Sequence, residues 1–294
     1  MKFLIGIFLL PLFSFGQTTY NGHITDSRTK KAIPFASVAL LKENIGINAN
    51  EDGSFILVSK QNIKLDSLII SCVGYETKKL PLTEKNDYSI ELKERIIQLE
   101  TVNLISQNNW DVKKLNVPLD CGNVGMTTDG SHTQVAKYFI SPSYGAILTE
   151  IEICNKRYFN SRKAVFRIRI YDMDTVTTAP STDLCNEVIE VRLNKKHIVV
   201  NLEKYKIHIP SKNFFVAVEW LKIPENENKF KSTDSNGIER EILTYRPSIG
   251  GQLRDPSLPY KPKIPYEVWQ LNYQNRWIPL TPFSNFSITA TIKY

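Results

Sequence analysis

Four histidines, at His23, His132, His197 and His208, are where acid–base or metal chemistry would have to start. None heads an H-x-x-E or H-E-x-x-H pattern, so the ligand spacing of a zinc carboxypeptidase or metalloprotease is missing. Four cysteines, Cys72, Cys121, Cys154 and Cys185, contain no C-x-x-C pair, which points away from a zinc site or a thioredoxin-like redox motif. Asp129-Gly130-Ser131-His132 sets a hydroxyl beside an imidazole, but adjacent side chains are expected to point apart and not to meet as a triad does. There is no G-x-S-x-G elbow and no Gly-rich phosphate loop. Asp172 and Asp174 offer two oxygens where calcium takes about six, and they read as a strand-end turn. Glu150 and Glu152 share a strand face, whereas a glycosidase places its carboxylates across a cleft, so they read as a solvated face. The expectation is a protein that is not an enzyme, with no catalytic residue, no metal and no cofactor.

Binding chemistry has better candidates. Tyr245, Arg246, Arg254, Tyr260, Tyr266, Trp269 and Trp277 crowd the last third of the chain, and Tyr, Trp and Arg are the residue types that most often carry binding energy. Five of them lie in or beside the stretch from Pro224 to Pro265, which lacks strand alternation and holds prolines at 247, 256, 259, 262 and 265. Long irregular stretches inside compact domains are usually functional or disordered, so this one is expected to form a recognition loop. Trp269 alternates with Leu271 as a core residue would. Tyr273 stands beside the same cluster.

The elements that must position these residues are strands. Two-residue alternation dominates from Gln17 onward, and helical periodicity is nearly absent. Val38 and Leu40, Phe55 and Leu57, Leu68, Ile70 and Cys72, then Tyr88, Ile90 and Leu92 mark the first group, separated by turn-forming residues. Cys72 shares its face with Leu68 and Ile70, which makes it a buried free thiol; the other three cysteines can supply one bridge with one left over. A second group begins near Gln134. It comprises Thr149/Ile151/Ile153, Phe166/Ile168/Ile170, Ile189/Val191/Leu193, Ile198/Val200/Leu202, Phe214/Val216/Val218/Trp220 and Phe286/Ile288/Ala290/Ile292. Arg167 and Arg169, and Glu190 and Arg192, are assigned to the opposite, wet faces.

Within the first group, Gly22-His23-Ile24-Thr25-Asp26, Ala32 to Val38, Asn48 to Phe55 and Ile70 to Glu76 resemble the carboxypeptidase-regulatory-like domain of exported Bacteroidetes proteins. The resemblance implies a transthyretin-like (prealbumin-like) sandwich and no activity of its own. Pro34 is expected to open a strand, and Asp52-Gly53 to turn a hairpin. Leu99-Glu100-Thr101-Val102 is similar to the tail that follows this domain in outer-membrane receptors. Phe166 to Tyr171, Asp183 to Val191 and Asn213 to Trp220 resemble, more loosely, an uncharacterised C-terminal half found with it.

The fold class expected is all-β: a transthyretin-like seven-stranded β-sandwich followed by a larger antiparallel jelly-roll-like β-sandwich. Residues 1–16 read as a signal peptide, from Lys2, the apolar run Phe3–Phe15 and Ser14-Phe15-Gly16. The first sandwich takes 17–95, a linker 96–133 and the second sandwich 134–294. The formal charge of +7 is spread along the chain, which speaks against a nucleic-acid partner. No run reaches the ~20 apolar residues of a membrane span. The expected protein is exported (periplasmic, outer-membrane-associated or secreted) and binds or scaffolds an envelope or outer-membrane protein, or a glycan. The alternatives are a carbohydrate-active enzyme or lectin on the second sandwich, and a small outer-membrane barrel, suggested by the alternating C-terminus ending in Tyr294.

Overall fold

The computed structural model describes residues 17–59, 66–83, 85–95, 110–117, 120–156, 163–193, 195–255, 257 and 266–294. Residues 1–16, read above as a leader, the Leu99–Val102 stretch and Tyr260 lie outside the described residues. The chain is nearly all β, with 59% of the described residues in strands.

Seven strands build the first unit: β1 (Thr18–Asp26), β2 (Ser37–Leu40), β3 (Ile45–Asn48), β4 (Ser54–Ser59), β5 (Ser67–Ser71), β6 (Lys78–Pro81) and β7 (Asp87–Leu92). They form two sheets, ordered β4-β1-β7 and β3-β2-β5-β6. Alternation puts Ile24, Phe55, Leu57, Ile90 and Leu92 of one sheet against Val38, Leu40, Leu68 and Ile70 of the other in a single core. Because β3 and β4 belong to different sheets, the Asp52-Gly53 turn is not a hairpin; it carries the chain across the sandwich. Gly53 takes φ +79°, and the Asp52 carboxylate accepts from the Ser54 N–H and hydroxyl. Pro34 does not open a strand either. It sits in a turn three residues ahead of β2, followed by Phe35 at φ 56°.

The second unit starts earlier than the pattern implied. β8 (Val112–Leu115) and β9 (Val124–Thr128) lie inside the stretch expected to be linker. Short polar strands at sheet edges are recruited by ladder hydrogen bonds, not by an apolar stripe, so alternation does not announce them. The strands that follow are β10 (Gln134–Ile140), β11 (Ala146–Cys154), β12 (Val165–Met173), β13 (Pro180–Asp183), β14 (Ile189–Arg192), β15 (His197–Asn201), β16 (Ile207–Ile209) and β17 (Asn213–Trp220). The last six are β18 (Glu227–Thr233), β19 (Glu239–Leu253), β20 (Val268–Leu271), β21 (Trp277–Pro279), β22 (Phe283–Phe286) and β23 (Ile288–Lys293).

A seven-stranded sheet ordered β13-β12-β17-β10-β20-β21, with β14 also on β12, packs on a five-stranded sheet ordered β15-β11-β23-β8, with β16 on β11. The apolar positions read from alternation, including Phe166, Ile168, Ile170, Val216, Val218, Ile288 and Ile292, fill one core between them. Open sheets around a packed apolar interior replace the barrel alternative.

Strands β18 and β19, with β22 and β9, form a third sheet, so the segment from Pro224 to Pro265 is not the strandless loop expected. The outer half of this hairpin is exposed on both faces and has no core to alternate against. Its turn was legible nonetheless. Asn236-Gly237 is hairpin chemistry, with Gly237 at φ +78° and the Asp234 carboxylate accepting from the Asn236 and Ile238 N–H groups.

Candidate ligand-binding cleft between the two domains

On β12 the side chains alternate between two very different surroundings. Phe166, Ile168 and Ile170 enter the inter-sheet core, while Arg167 and Arg169 leave from the other face. That face was expected to be wet. The first sandwich covers it instead: Arg167 is only 2% exposed, and its guanidinium donates to the Pro34 carbonyl at 2.9 Å and the Phe35 carbonyl at 3.3 Å. The Phe35 ring lies 5.6 Å from the guanidinium and is buried with Val165, Leu221 and Ile223. The turn at Pro34-Phe35 is therefore the plug by which the first domain seats on the second.

A second anchor lies at Lys222. Its backbone N–H donates to Asn48 Oδ1 at 2.8 Å and its ammonium to the Gly46 carbonyl at 2.6 Å, between the rings of Tyr245 and Tyr273. Burial pushes the Lys222 amine below its ordinary value, with Asp129 opposing. Gly46 must be glycine here, because a Cβ would meet the Tyr273 ring.

Beside these anchors the domains leave a cleft of about 660 Å³. Ser37, Ser71, Cys72 and Thr77 line it from the first domain, and Arg169, Tyr171, Asp183, Glu219, Tyr273 and Trp277 from the second. Register places Glu219 opposite Arg167 across β12 and β17. Arg169 pairs with Asp183, its Nε donating at 2.9 Å, and its guanidinium stands 3.5 Å from Glu219 Oε2. Burial opposes that charge, but Tyr171, Asp183 and Glu219 hold Arg169 firmly protonated. Burial likewise lifts the Tyr171 phenol well above its ordinary range; it donates to Gln134 Oε1 at 2.9 Å. The Cys72 thiol, free and half-buried just past β5, is raised by the same cause.

Arg95 and Arg169 balance Asp183 and Glu219 along the lining, so the cleft wall is polar without net formal charge. It is not fully satisfied. Arg167 Nε and Glu219 Oε2 are buried and make no hydrogen bond among the described residues. Buried polar atoms are rarely left so; Glu219 lines the cleft and keeps its ion pair with Arg169, while Arg167 sits in the domain junction beside it.

Of the seven residues proposed for contact, Trp277 lines this cleft, its ring edge-on to Tyr171 at 5.4 Å. Trp269 is buried against Tyr138 and Phe215 and donates to the Tyr266 carbonyl, with Tyr266 packed on it. Tyr245 is buried over Lys222, Arg246 donates to the carbonyls of Glu225, Asn226 and Glu227, and Arg254 donates to that of Thr281. Tyr266, Trp269 and Trp277 thus share one aromatic cluster with Tyr171, whereas Tyr245, Arg246 and Arg254 are engaged elsewhere, on and just after β19. The residues that sequence reasoning missed are Arg167, Arg169, Asp183 and Glu219. Residue type gave no signal here, since two arginines on one strand face become costly only once another domain covers them.

Other expectations resolve locally. Ser131 Oγ does approach His132 Nδ1, at 3.2 Å, so the adjacent pair meets after all. The orienting carboxylate is missing: His132 Nε2 has no partner among the described residues, and the ring stands edge-on to Trp220. Asp174 accepts from Val176 and Thr177 as a turn cap. Glu152 is not simply solvated; it pairs with Lys114 and His197. Cys121 and Cys154 are joined by a disulfide, leaving Cys72 and Cys185 free.

Residues 20–104 match the CarboxypepD_reg-like domain family. The first sandwich is a CarboxypepD_reg-like domain. Among curated proteins nothing matches the chain. Among solved structures, a clostridial cysteine protease, Cwp84, is similar over 62% of this chain and 40% of its own, at 14% identity and TM-score 0.39. The major pilin subunit BcpA of Bacillus cereus is similar over 80% of this chain and 69% of its own, at 10% identity and TM-score 0.19. This chain thus spans less than half of the protease chain. The CarboxypepD_reg-like domain contributes the Pro34-Phe35 plug and one wall of the cleft.

Proposed function

We propose that this protein is a non-catalytic binding or scaffold protein of the bacterial cell envelope, and that the cleft between its domains is where it takes a polar, uncharged ligand. The observation that carries the reading is the charge-balanced polar lining of the cleft, in which Glu219 Oε2, buried beside the Arg169 guanidinium, makes no hydrogen bond among the described residues. A ligand hydroxyl or amide can donate to the Glu219 carboxylate without bringing a charge into a buried site, and Trp277 supplies an aromatic edge on the same cleft. A glycan or an extended peptide segment has that chemistry. Export is supported by the apolar run behind Lys2 and by the Cys121–Cys154 disulfide, which persists in oxidising compartments. The absence of a triad or H-E-x-x-H spacing in the sequence favours binding over catalysis.

Fluorotryptophan labelling tests the site directly. The chain has four tryptophans, of which Trp277 lines the cleft and Trp110 stands exposed outside it. Titration with cell-wall oligosaccharides and with an extended peptide set should shift the Trp277 resonance and leave that of Trp110 in place. Movement of Trp110 alone, or of neither with any probe, would remove the cleft as the binding site.

A further inference from the structure

The two joined cysteines and a histidine form a cluster that spacing in the sequence does not reveal. β11 ends on Cys154, and its antiparallel register with β15 sets His197 directly across from it. Cys121, next to the bridge between Gly122 and Gly251, closes on the same spot from the chain entering β9. His197 Nε2 lies 4.0 Å from Cys121 Sγ, and the three ligand atoms all stand within 4.8 Å of one another. The other ring nitrogen, Nδ1, is 3.2 Å from Glu152 Oε1, and Glu152 in turn is held by Lys114 at 2.7 Å.

We propose that Cys121, Cys154 and His197 are a redox-gated site for a thiophilic divalent cation of the zinc class, closed as a disulfide and opened by reduction. Three features fit. A tetrahedral centre with metal–sulfur bonds of about 2.3 Å and metal–nitrogen bonds of about 2.0 Å puts nitrogen and sulfur roughly 3.5 Å apart. The observed 4.0 Å is within a small side-chain adjustment of that. A carboxylate on the distal imidazole nitrogen is the arrangement that fixes a metal-binding histidine, and it presents Nε2 to the sulfurs. Finally, Cys121 is partly exposed while Cys154 is fully buried, so a reductant reaches one sulfur and the fourth metal position faces solvent.

The chemistry balances with a dithiol as reductant. Its thiolate attacks Cys121 Sγ, the S–S bond breaks, and Cys154 leaves as a thiolate. The second thiol of the reductant then displaces Cys121 and completes its own disulfide, two electrons having entered the protein. The cation binds both thiolates, and the two protons they would otherwise carry go to solvent. Lys114 remains paired with Glu152, and Lys156 donates to the Gly122 carbonyl beside the site.

Cobalt is the probe. Protein carrying Cys72→Ser and Cys185→Ser, reduced with dithiothreitol and desalted without oxygen, should bind one Co²⁺ with thiolate charge-transfer and tetrahedral absorption bands that Zn²⁺ bleaches. The oxidised protein should show neither band. His197→Ala should alter the spectrum and weaken binding at least tenfold, and Glu152→Gln should weaken it about 10- to 100-fold with the spectrum retained. Where reduction loosens the fold, Co²⁺ or Zn²⁺ should restore a cooperative thermal transition. No stoichiometric spectrum in folded reduced protein, a spectrum indifferent to His197→Ala, or a loosened fold that neither metal restores overturns the proposal and leaves a purely structural disulfide.

Discussion

The two faces of strand β12 carry alternate residues of one segment, yet they solve opposite problems. Inward, Phe166, Ile168 and Ile170 leave water for an apolar core, a gain that needs no partner of particular geometry. Outward, Arg167 and Arg169 are also buried, but charge leaves water only where carbonyls and carboxylates are in place to receive it. The inner face therefore stabilises whatever packs on it, whereas the outer face selects: only a domain offering the Pro34 and Phe35 carbonyls can cover it. The demand for partners is also what leaves a polar cleft at the edge of the interface.

The comparison breaks most visibly at the inner face. Phe166→Ala should cost roughly 3–5 kcal/mol, read as a lower denaturant midpoint for the whole second domain. Arg167→Met should cost roughly 2–4 kcal/mol, since it strips a donor from the Pro34 carbonyl and one of two from the Phe35 carbonyl, and removes the charge opposite buried Glu219. The readout differs in kind: calorimetry should resolve two transitions where the parent gives one, because the domains come apart while each core survives. A single transition lowered as a unit would mean the outer face behaves like the inner one.

Gly46→Ala presses on the same interface without touching charge. Its Cβ meets Tyr273, and an overpacking cost of about 1–3 kcal/mol is expected, with protease sensitivity rising at the domain junction and not inside either sandwich.

The smallest effect is a pH slope. Burial against Trp220 lowers the His132 pKa below its ordinary 6.5, with Asp129 opposing. The unfolded chain then takes up a proton that the folded one refuses, so stability should fall as pH drops below about 6.5 and level off once the folded imidazole protonates. His132→Phe should flatten that stretch of the stability profile; an unchanged slope would assign it to other groups.

Alternation in the chain was enough to place the core of both sandwiches, because a half-buried strand must write its buried face into every second residue. The same rule misread Arg167 and Arg169 as wet, since periodicity records which residues share a face and not what later covers it. It passed over β8, β9 and the outer half of the β18–β19 hairpin, where ladder hydrogen bonds hold the strands and side-chain polarity is free to vary. Trp277 could be named from its residue type alone, but its neighbours in the cleft could not, for they come from positions more than two hundred residues apart.

The sequence by itself determined the all-β class, the four motif blocks of the CarboxypepD_reg-like domain and the residues of both apolar cores, all of them properties written locally in pattern and turn chemistry. Only the tertiary structure decided that Cys121 meets Cys154 opposite His197, and that Arg167 plugs into the Pro34-Phe35 turn. Those meetings depend on which strands pair and which faces dock. A buried charge or a disulfide is specified by geometry between distant segments, and a chain read in order carries no record of that distance.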